Sequence, residues 1–307
     1  MCFVAVLVVV PVALAAQAAI RHETVGHFAR HDIVESSGIV ASRKQPGVYW
    51  TMNDSGGKPE VYAFDISGHD LGAWMVPGAT ANDWESLGLG PCSPGSSRDC
   101  LYAGDTGDNS EVRPNSTIYR IAEPTVSGKS APVWTGESAR ADKLVFVYPD
   151  GPHDTEAIYV AKSGTVWLVT KGRTKGFLLF RLEANWWGRS NTQIAAAAGN
   201  LALPISGSEL VTDAGLSSDG SALAVRTYNT LFVYRANPDT GEPNQSLGPT
   251  KCDLTPIGER QGEGVGWHPD GQLQVLTSEG AAGQISVIAC PIPSSPSPPS
   301  SGAAPRL

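Results

Sequence analysis

The amino-acid sequence predicts an all-β fold built from one repeated unit, and three observations carry that reading. Charged residues make up only 17% of the 307-residue chain, while Gly (34) and Pro (23) are plentiful. That balance favours many short strands joined by turns over long surface helices. The apolar segments are short and aromatic or β-branched, with Gly, Asn, Asp or Pro between them. Examples are Thr117-Ile-Tyr-Arg-Ile, Lys143-Leu-Val-Phe-Val-Tyr148 and Thr230-Leu-Phe-Val-Tyr. No run shows helical periodicity; Ile194 to Ala198 is too short and leads directly into Asn200. Third, one pattern returns along the chain: an acidic or hydroxyl residue opens an apolar strand, and the next strand ends in a polar cluster.

The returns are Ser37-Gly-Ile-Val with Trp50-Thr-Met-Asn53-Asp54, and Asp83-Trp-Glu85-Ser-Leu with Tyr102-Ala-Gly-Asp105-Thr-Gly-Asp108-Asn109. Next come Asp154-Thr-Glu156-Ala-Ile with Trp167-Leu-Val-Thr170-Lys171, and Thr212-Asp-Ala-Gly-Leu with Ala224-Val-Arg226-Thr-Tyr228. The last is Gln261-Gly-Glu263-Gly-Val with Val275-Leu-Thr-Ser278-Glu279. Taking Ser37, Glu85, Glu156, Thr212 and Glu263 as equivalent gives offsets of 48, 71, 56 and 51 by subtraction. A period of about 50 residues with three or four strands each is that of a β-propeller. A solenoid is the rival, but the unit is long for one and capping units are missing. The reading is a single propeller domain over residues 22–290, with five recognisable units; the 71-residue interval leaves room for a sixth. The last unit lacks an outer strand after Gln284-Ile-Ser-Val-Ile288, and Thr24-Val-Gly-His-Phe28 is expected to supply it and close the ring. Ser218-Asp219-Gly220 and Pro269-Asp270-Gly271 read as matching hairpin turns between first and second strands.

A formal charge of −8 and a pI near 5.2 argue against a nucleic-acid groove, which needs a basic stripe. Residues 1–19 are an apolar run ending in small residues, and Ala16-Gln17-Ala18 matches a secretory cleavage pattern. The run is short for a spanning helix, so export is expected rather than anchoring, with no membrane span in the mature chain. It departs from the usual signal in having no Lys or Arg before its apolar part. An exported chain meets an oxidising compartment. Cys92 and Cys100 bracket a turn-rich loop and are expected to pair, leaving Cys252 with Cys290 once Cys2 is lost with the signal segment; no CxxC or paired-His spacing supports zinc instead. Residues 291–307, rich in Pro and Ser, read as a disordered tail, either a spacer to a cell wall or a frayed end.

In an antiparallel hairpin the start of one strand and the end of the next share an edge. Each unit therefore delivers its polar residues to one end of the fold. They are Asn53, Asp54, Asp83, Glu85, Asp105, Asp108, Asn109, Asp154, Glu156, Glu263 and Glu279, with Lys171, Arg226 and Arg113 among them. So many carboxylates repel one another unless a cation or basic side chain intervenes. Oxygen-only ligands suit calcium or magnesium rather than zinc or copper. Lys and Arg then serve as partners for an anionic group. Each element also has a plainer role: Gly104-Asp-Thr-Gly-Asp-Asn109 as an Asx-rich turn outside the EF-hand pattern, Trp84 as core between blades, and His153, a candidate general base beside Asp154, as polar surface.

The order Asn53-Asp-Ser-Gly-Gly, Asp83-Trp-Glu85, Gly104-Asp-Thr-Gly-Asp-Asn109, Asp154-Thr-Glu156-Ala, Lys171 and Gln261-Gly-Glu263-Gly resembles the secreted phytase-like propeller proteins, sometimes labelled for an esterase-like activity of phytase. The likeness spans roughly residues 30–290. It is more distantly similar to calcium-dependent β-propeller phytases, whose six blades surround an acidic channel holding calcium and phosphate. The resemblance implies a secreted, calcium-dependent hydrolase of phosphoesters or related esters acting on a small anionic or ester substrate. On this reading Asp54, Asp83, Glu85, Asp105, Asp108, Asn109 and Glu279 ligate metal, while Lys171, Arg226, Glu156 and Glu263 act on substrate. No Gly-x-Ser-x-Gly elbow supports a serine hydrolase. A lactonase-type propeller with a central calcium would use the same ligands. A non-catalytic extracellular ligand-binding propeller stands as the alternative.

Overall fold

The computed structural model describes residues 20–126, 135–205 and 209–294. The expected signal segment and all but the first four residues of the tail lie outside these. Strand β1 (His22–His27) comes first in the chain but belongs to the last blade. Blade 1 contains β2 (Ser36–Ala41), β3 (Tyr49–Asn53), β4 (Glu60–Phe64) and β5 (Asp70–Met75); blade 2 starts with β6 (Trp84–Pro91), β7 (Asp99–Asp105) and β8 (Ser116–Ala122). The chain then adds β9 (Thr135–Glu137) in parallel to β5, and β10 (Asp142–Val147) to the edge of β8. Blade 3 has β11 (Thr155–Val160), β12 (Val166–Thr170) and β13 (Leu178–Leu182); β14 (Gln193–Ile194) returns to β10, and β15 (Ala196–Asn200) completes blade 3. Blade 4 is β16 (Val211–Leu216), β17 (Ala222–Thr227), β18 (Thr230–Arg235) and β19 (Thr250–Asp253). Blade 5 is β20 (Gly262–Trp267), β21 (Gln274–Ser278) and β22 (Gln284–Ile288), closed by β1.

Five sheets make a five-bladed propeller, with β2, β6, β11, β16 and β20 innermost. Neighbouring inner strands pack on one another around the whole ring. The expected closure is present: His22 to His27 runs antiparallel to Ile288 to Gln284. The long second interval holds the extra strands β9 and β10 rather than a sixth blade.

Stability follows from five apolar cores, one in each gap between blades. Between blades 1 and 2, Trp50, Met52 and Trp74 meet Trp84, Leu87 and Tyr119. Trp84 is fully buried and its indole N–H donates to the Thr80 carbonyl at 2.8 Å, so it has the core role its motif allowed. The last gap joins Val275 and Ile285 of blade 5 to Ile39, Tyr49 and Phe64 of blade 1, so the closure is packed as well as hydrogen-bonded. With only five blades the inner strands run close: a Cβ on Gly38 would meet the Leu87 nitrogen at 2.5 Å, and one on Gly266 the Ile39 oxygen at 2.7 Å. Glycine is what admits that approach. The Ser218–Gly220 and Pro269–Gly271 turns form as expected, each with its glycine at positive φ, 79° and 70°.

Both expected disulfides are present, Cys92–Cys100 and Cys252–Cys290. They are consistent with an extracellular protein. Among the described residues no helix is long and apolar enough to cross a membrane.

Candidate functional site

Every inner strand carries a pairing irregularity at the same level. Pairing skips Ser37 in β2, Glu85 in β6, Glu156 in β11 and Thr212 in β16. In β20 the pair Glu263-Gly264 opposes one residue of β21. These are the five positions that the sequence repeat equates. A bulge adds one residue and re-aims side chains, which is why bulges gather at sites. A second row follows: Asp54, Thr106, Lys171, Tyr228 and Glu279 each succeed the last residue of a second strand. Four are held alike, with Asp54 N–H donating to Glu35, Thr106 to Asp83, Lys171 to Asp154 and Glu279 to Gln261, at 2.8–3.1 Å. Hydroxyls lock this level across blades: Ser37 Oγ donates to the Glu85 carbonyl at 2.7 Å and Thr212 Oγ1 to the Glu263 carbonyl at 2.9 Å.

Within the ring, carboxylates of Asp54, Asp83 and Glu85 place one oxygen each within 4.8 Å of the others, as do Glu85, Asp154 and Glu156. Glu85 is common to both triads. Lys171 Nζ lies 2.5 Å from Glu156 Oε1 and 3.9 Å from Asp154 Oδ2. Asp154 is 1% exposed; its Oδ1 accepts from the Asp108 N–H at 2.8 Å, while its Oδ2 is buried without a hydrogen bond. Arg173 Nε approaches that oxygen to 3.5 Å. Gly107 lies against the cluster, where an added Cβ would fall on the carboxylates of Glu85 and Asp83.

Burial foremost, then mutual repulsion, pushes these acids up. Glu85 and Glu156 are both raised well above the usual range, Glu85 next by the charges of Glu156, Asp54 and Asp83. Asp54 rises to about 6, by burial and then Asp83 and Glu35. Glu263 and Glu279 each rise to about 7, by burial and then, respectively, Glu279 and Asp54. Lys171 is raised: burial works against its charge, and Glu156, Asp154 and Glu85 outweigh that. One buried cation therefore serves several acids. An oxygen-only donor set, in which Asp154 Oδ2 is buried without a hydrogen bond and met only by the longer ion pairs to Lys171 and Arg173, fits a hard divalent cation.

The remaining expected residues are placed differently. Asp105 accepts from Arg113 Nη2 (2.9 Å), the Asp83 N–H and Asn82, and Asp108 accepts from the Arg113 N–H at 2.7 Å. Both hold the 106–113 loop beneath the triads. Asn109 lies on the rim and accepts from Arg173. Arg226 is fully buried; it donates to the carbonyls of Gly264 and Thr277 and pairs with Glu259, away from the opening. His153 is not surface: it is 2% exposed, packs edge-on against Tyr148 and bonds Asp150 at 2.8 Å. Glu259, Tyr228 and Gly107 were not singled out by sequence. The Gly-Asp-Thr-Gly-Asp-Asn string contained the signal for Gly107, whereas nothing local marked Glu259 as the partner of Arg226.

Midway along the axis Asp213, fully buried, accepts from Ser86 Oγ at 2.6 Å and from the Val265 N–H at 2.9 Å. This strut links blades 2, 4 and 5. At the opposite ends of the inner strands opens the larger cavity, about 1080 Å³, whose walls include Val40, Leu89, Val160, Leu216 and His268. Size favours that end as a binding site; the convergent carboxylates favour the other.

No protein-family model matches this chain, and no curated protein matches it. Among solved structures, glutaminyl cyclase of Myxococcus xanthus aligns with TM-score 0.47 at 11% identity, covering 88% of this chain and 97% of that one. A luciferin-regenerating enzyme aligns at 0.44 and 10% identity, covering 88% and 95%. Virginiamycin B lyase from Staphylococcus aureus aligns at 0.40 and 13%, covering 82% and 65%. At such identity no residue role passes from these proteins to this chain.

Proposed function

We propose that this protein is a secreted, phytase-like hydrolase of phosphoesters or related esters that depends on a divalent cation, calcium foremost. The observation that carries the reading is the pair of carboxylate triads sharing Glu85, with Lys171 alongside. Asp54, Asp83 and Glu85 would hold one cation, and Glu85, Asp154 and Glu156 a second position, with Glu279 and Glu263 adding negative field. When bound, the metal neutralises the anionic substrate and polarises its ester bond. Lys171 keeps its proton among these acids and offers a fixed positive charge to the phosphoryl oxygens. Glu263, raised to about 7, is poised to accept a proton from attacking water near neutral pH. Water adds across the ester bond: its oxygen joins phosphorus, and a proton leaves on the alcohol. Arg226 and Asp105 act as positioning residues, through Gly264 beside Glu263 and through the 106–113 loop.

The test is hydrolysis of 4-nitrophenyl phosphate and glycerol phosphate with calcium and with chelator, for the wild type and Glu85→Gln. Turnover should require calcium and fall by at least about 100-fold in the variant. Calcium binding without turnover of any ester would favour the second reading, a non-catalytic extracellular ligand-binding propeller, for which the cavity of about 1080 Å³ at the far mouth speaks.

A further inference from the structure

Beside the acidic mouth, on the outer side of the 106–113 loop, lies a second cavity of about 300 Å³. Val112, Pro114, Val147, Tyr148 and Pro152 give it apolar walls, and His153 closes one side. Its volume is at the small end of ligand sites, about 300–1,000 Å³. Two wall residues tie it to the carboxylates. Asp108 donates its N–H to Asp154, and Arg113 pairs with Asp105, whose Oδ1 also accepts from the Asp83 N–H. Asp108 in turn accepts from the Arg113 N–H, and the neighbouring charges are paired within the loop.

The lip of this cavity is held in an unfavourable state. Glu111 has φ of 50°, a left-handed conformation that a non-glycine residue rarely adopts. Thr174 Oγ1 bonds the Glu111 carboxylate at 2.7 and 2.8 Å, and Arg173 bonds Asn109 at 2.8 Å, so the conformation is pinned from blade 3. The result is to present Val112, 72% exposed, at the edge of an apolar hollow. Backbone strain kept in place by surrounding bonds points to a use.

We propose that this cavity seats the organic, alcohol-derived part of the substrate, and that it takes a compact neutral apolar group of one or two aromatic rings, since a cavity of about 150 Å³ already holds one. The proposal rests on the hydrolase reading for the word substrate, but the pocket is testable without it. An apolar hollow with internally paired charges favours an aryl or short branched alkyl ester over a polyol bearing further phosphates, since the latter would leave charged groups against apolar walls. A hydrophobic pocket of this kind discriminates by roughly 10–200-fold.

Two experiments separate the claims. In calcium-free protein, held at a pH low enough to keep the phenol un-ionised, binding of 4-nitrophenol is followed by calorimetry for the wild type, Val112→Asp and Asn115→Trp; both changed residues are exposed and line the cavity. Saturable binding that both substitutions weaken at least about tenfold is expected. Absent binding, or binding that neither substitution alters, overturns the pocket whatever the catalytic outcome. In calcium-loaded protein, kcat/KM for 4-nitrophenyl phosphate should exceed that for glycerol phosphate, and the ratio should fall about tenfold in Val112→Asp. An unchanged ratio overturns the assignment to the substrate's alcohol part. Phenol binding with no turnover of either ester would instead overturn the hydrolase reading and leave the pocket standing.

Discussion

Lys171 is the residue on which the charge balance of the mouth turns. Its ammonium is 8% exposed as a side chain and bonds Glu156, itself 3% exposed, so neither charge has water to fall back on. Removing one partner of a buried pair strands the other charge, at about 3–5 kcal/mol. Lys171→Met should therefore lower stability by that order in chemical denaturation, whereas Lys171→Met with Glu156→Gln should recover most of the loss. Equal stability of the single and double variants would show that the pair is solvated. Glu85 behaves oppositely. It sits among Glu156, Asp54 and Asp83, and its neutralisation relieves repulsion. Glu85→Gln should match or exceed wild-type stability without metal, yet lose the calcium-dependent gain, about 2.7 kcal/mol at a hundredfold excess over Kd. Thermal melts with calcium and with chelator measure both.

Among the elements, the bulge in each inner strand does the positioning. It projects Glu85, Glu156 and Glu263 at one level, and places Ser37 and Thr212 where they tie that level to the next blade. The two disulfides act on different elements and should differ in worth. Cys252–Cys290 closes 38 residues and fastens β19 to the segment just after β22, whereas Cys92–Cys100 closes 8 within one hairpin. Chain-entropy arguments assign about 4 and about 2.5 kcal/mol respectively. Cys252→Ser with Cys290→Ser should accordingly cost more in denaturant midpoint than Cys92→Ser with Cys100→Ser. The repeat strings already aligned these five positions, because they are the ones that equate the units. What a string cannot show is that pairing skips them, since that depends on the partner strand.

For the whole molecule, gathering acids at one mouth makes stability depend on pH in a particular direction. Glu263 and Glu279 hold their protons up to about 7 in the fold, and Asp54 to about 6. The unfolded chain releases them near the ordinary carboxylate value of about 4. Between these limits the fold binds more protons than the unfolded chain, so stability is greatest below about 4 from these groups and is lost as pH rises toward 7. Metal-free protein should melt at a lower temperature at pH 7.5 than at pH 5, with the gap narrowing when calcium is added. Calcium affinity should weaken below about pH 7, since binding displaces those protons. Identical melts at the two pH values would mean that the acids are solvated and ionised throughout.

The sequence by itself determined the five-unit repeat, the strand that closes the ring, both disulfides and the end of the fold to which the acids go. Each of these rests on short-range spacing or on a count that admits few solutions, and hairpin geometry turns such spacing directly into position. Only the tertiary structure decided which acids meet. Asp105 and Asp108, adjacent in motif to the others, are drawn away by Arg113; Arg226 is consumed by Glu259 and two carbonyls; Asp154 meets Glu85 and Glu156, with one oxygen free of hydrogen bonds and approached only by Lys171 and Arg173. A side chain's hydrogen bonds are allotted among neighbours brought from other parts of the chain, and that competition has no signature in the spacing of one strand.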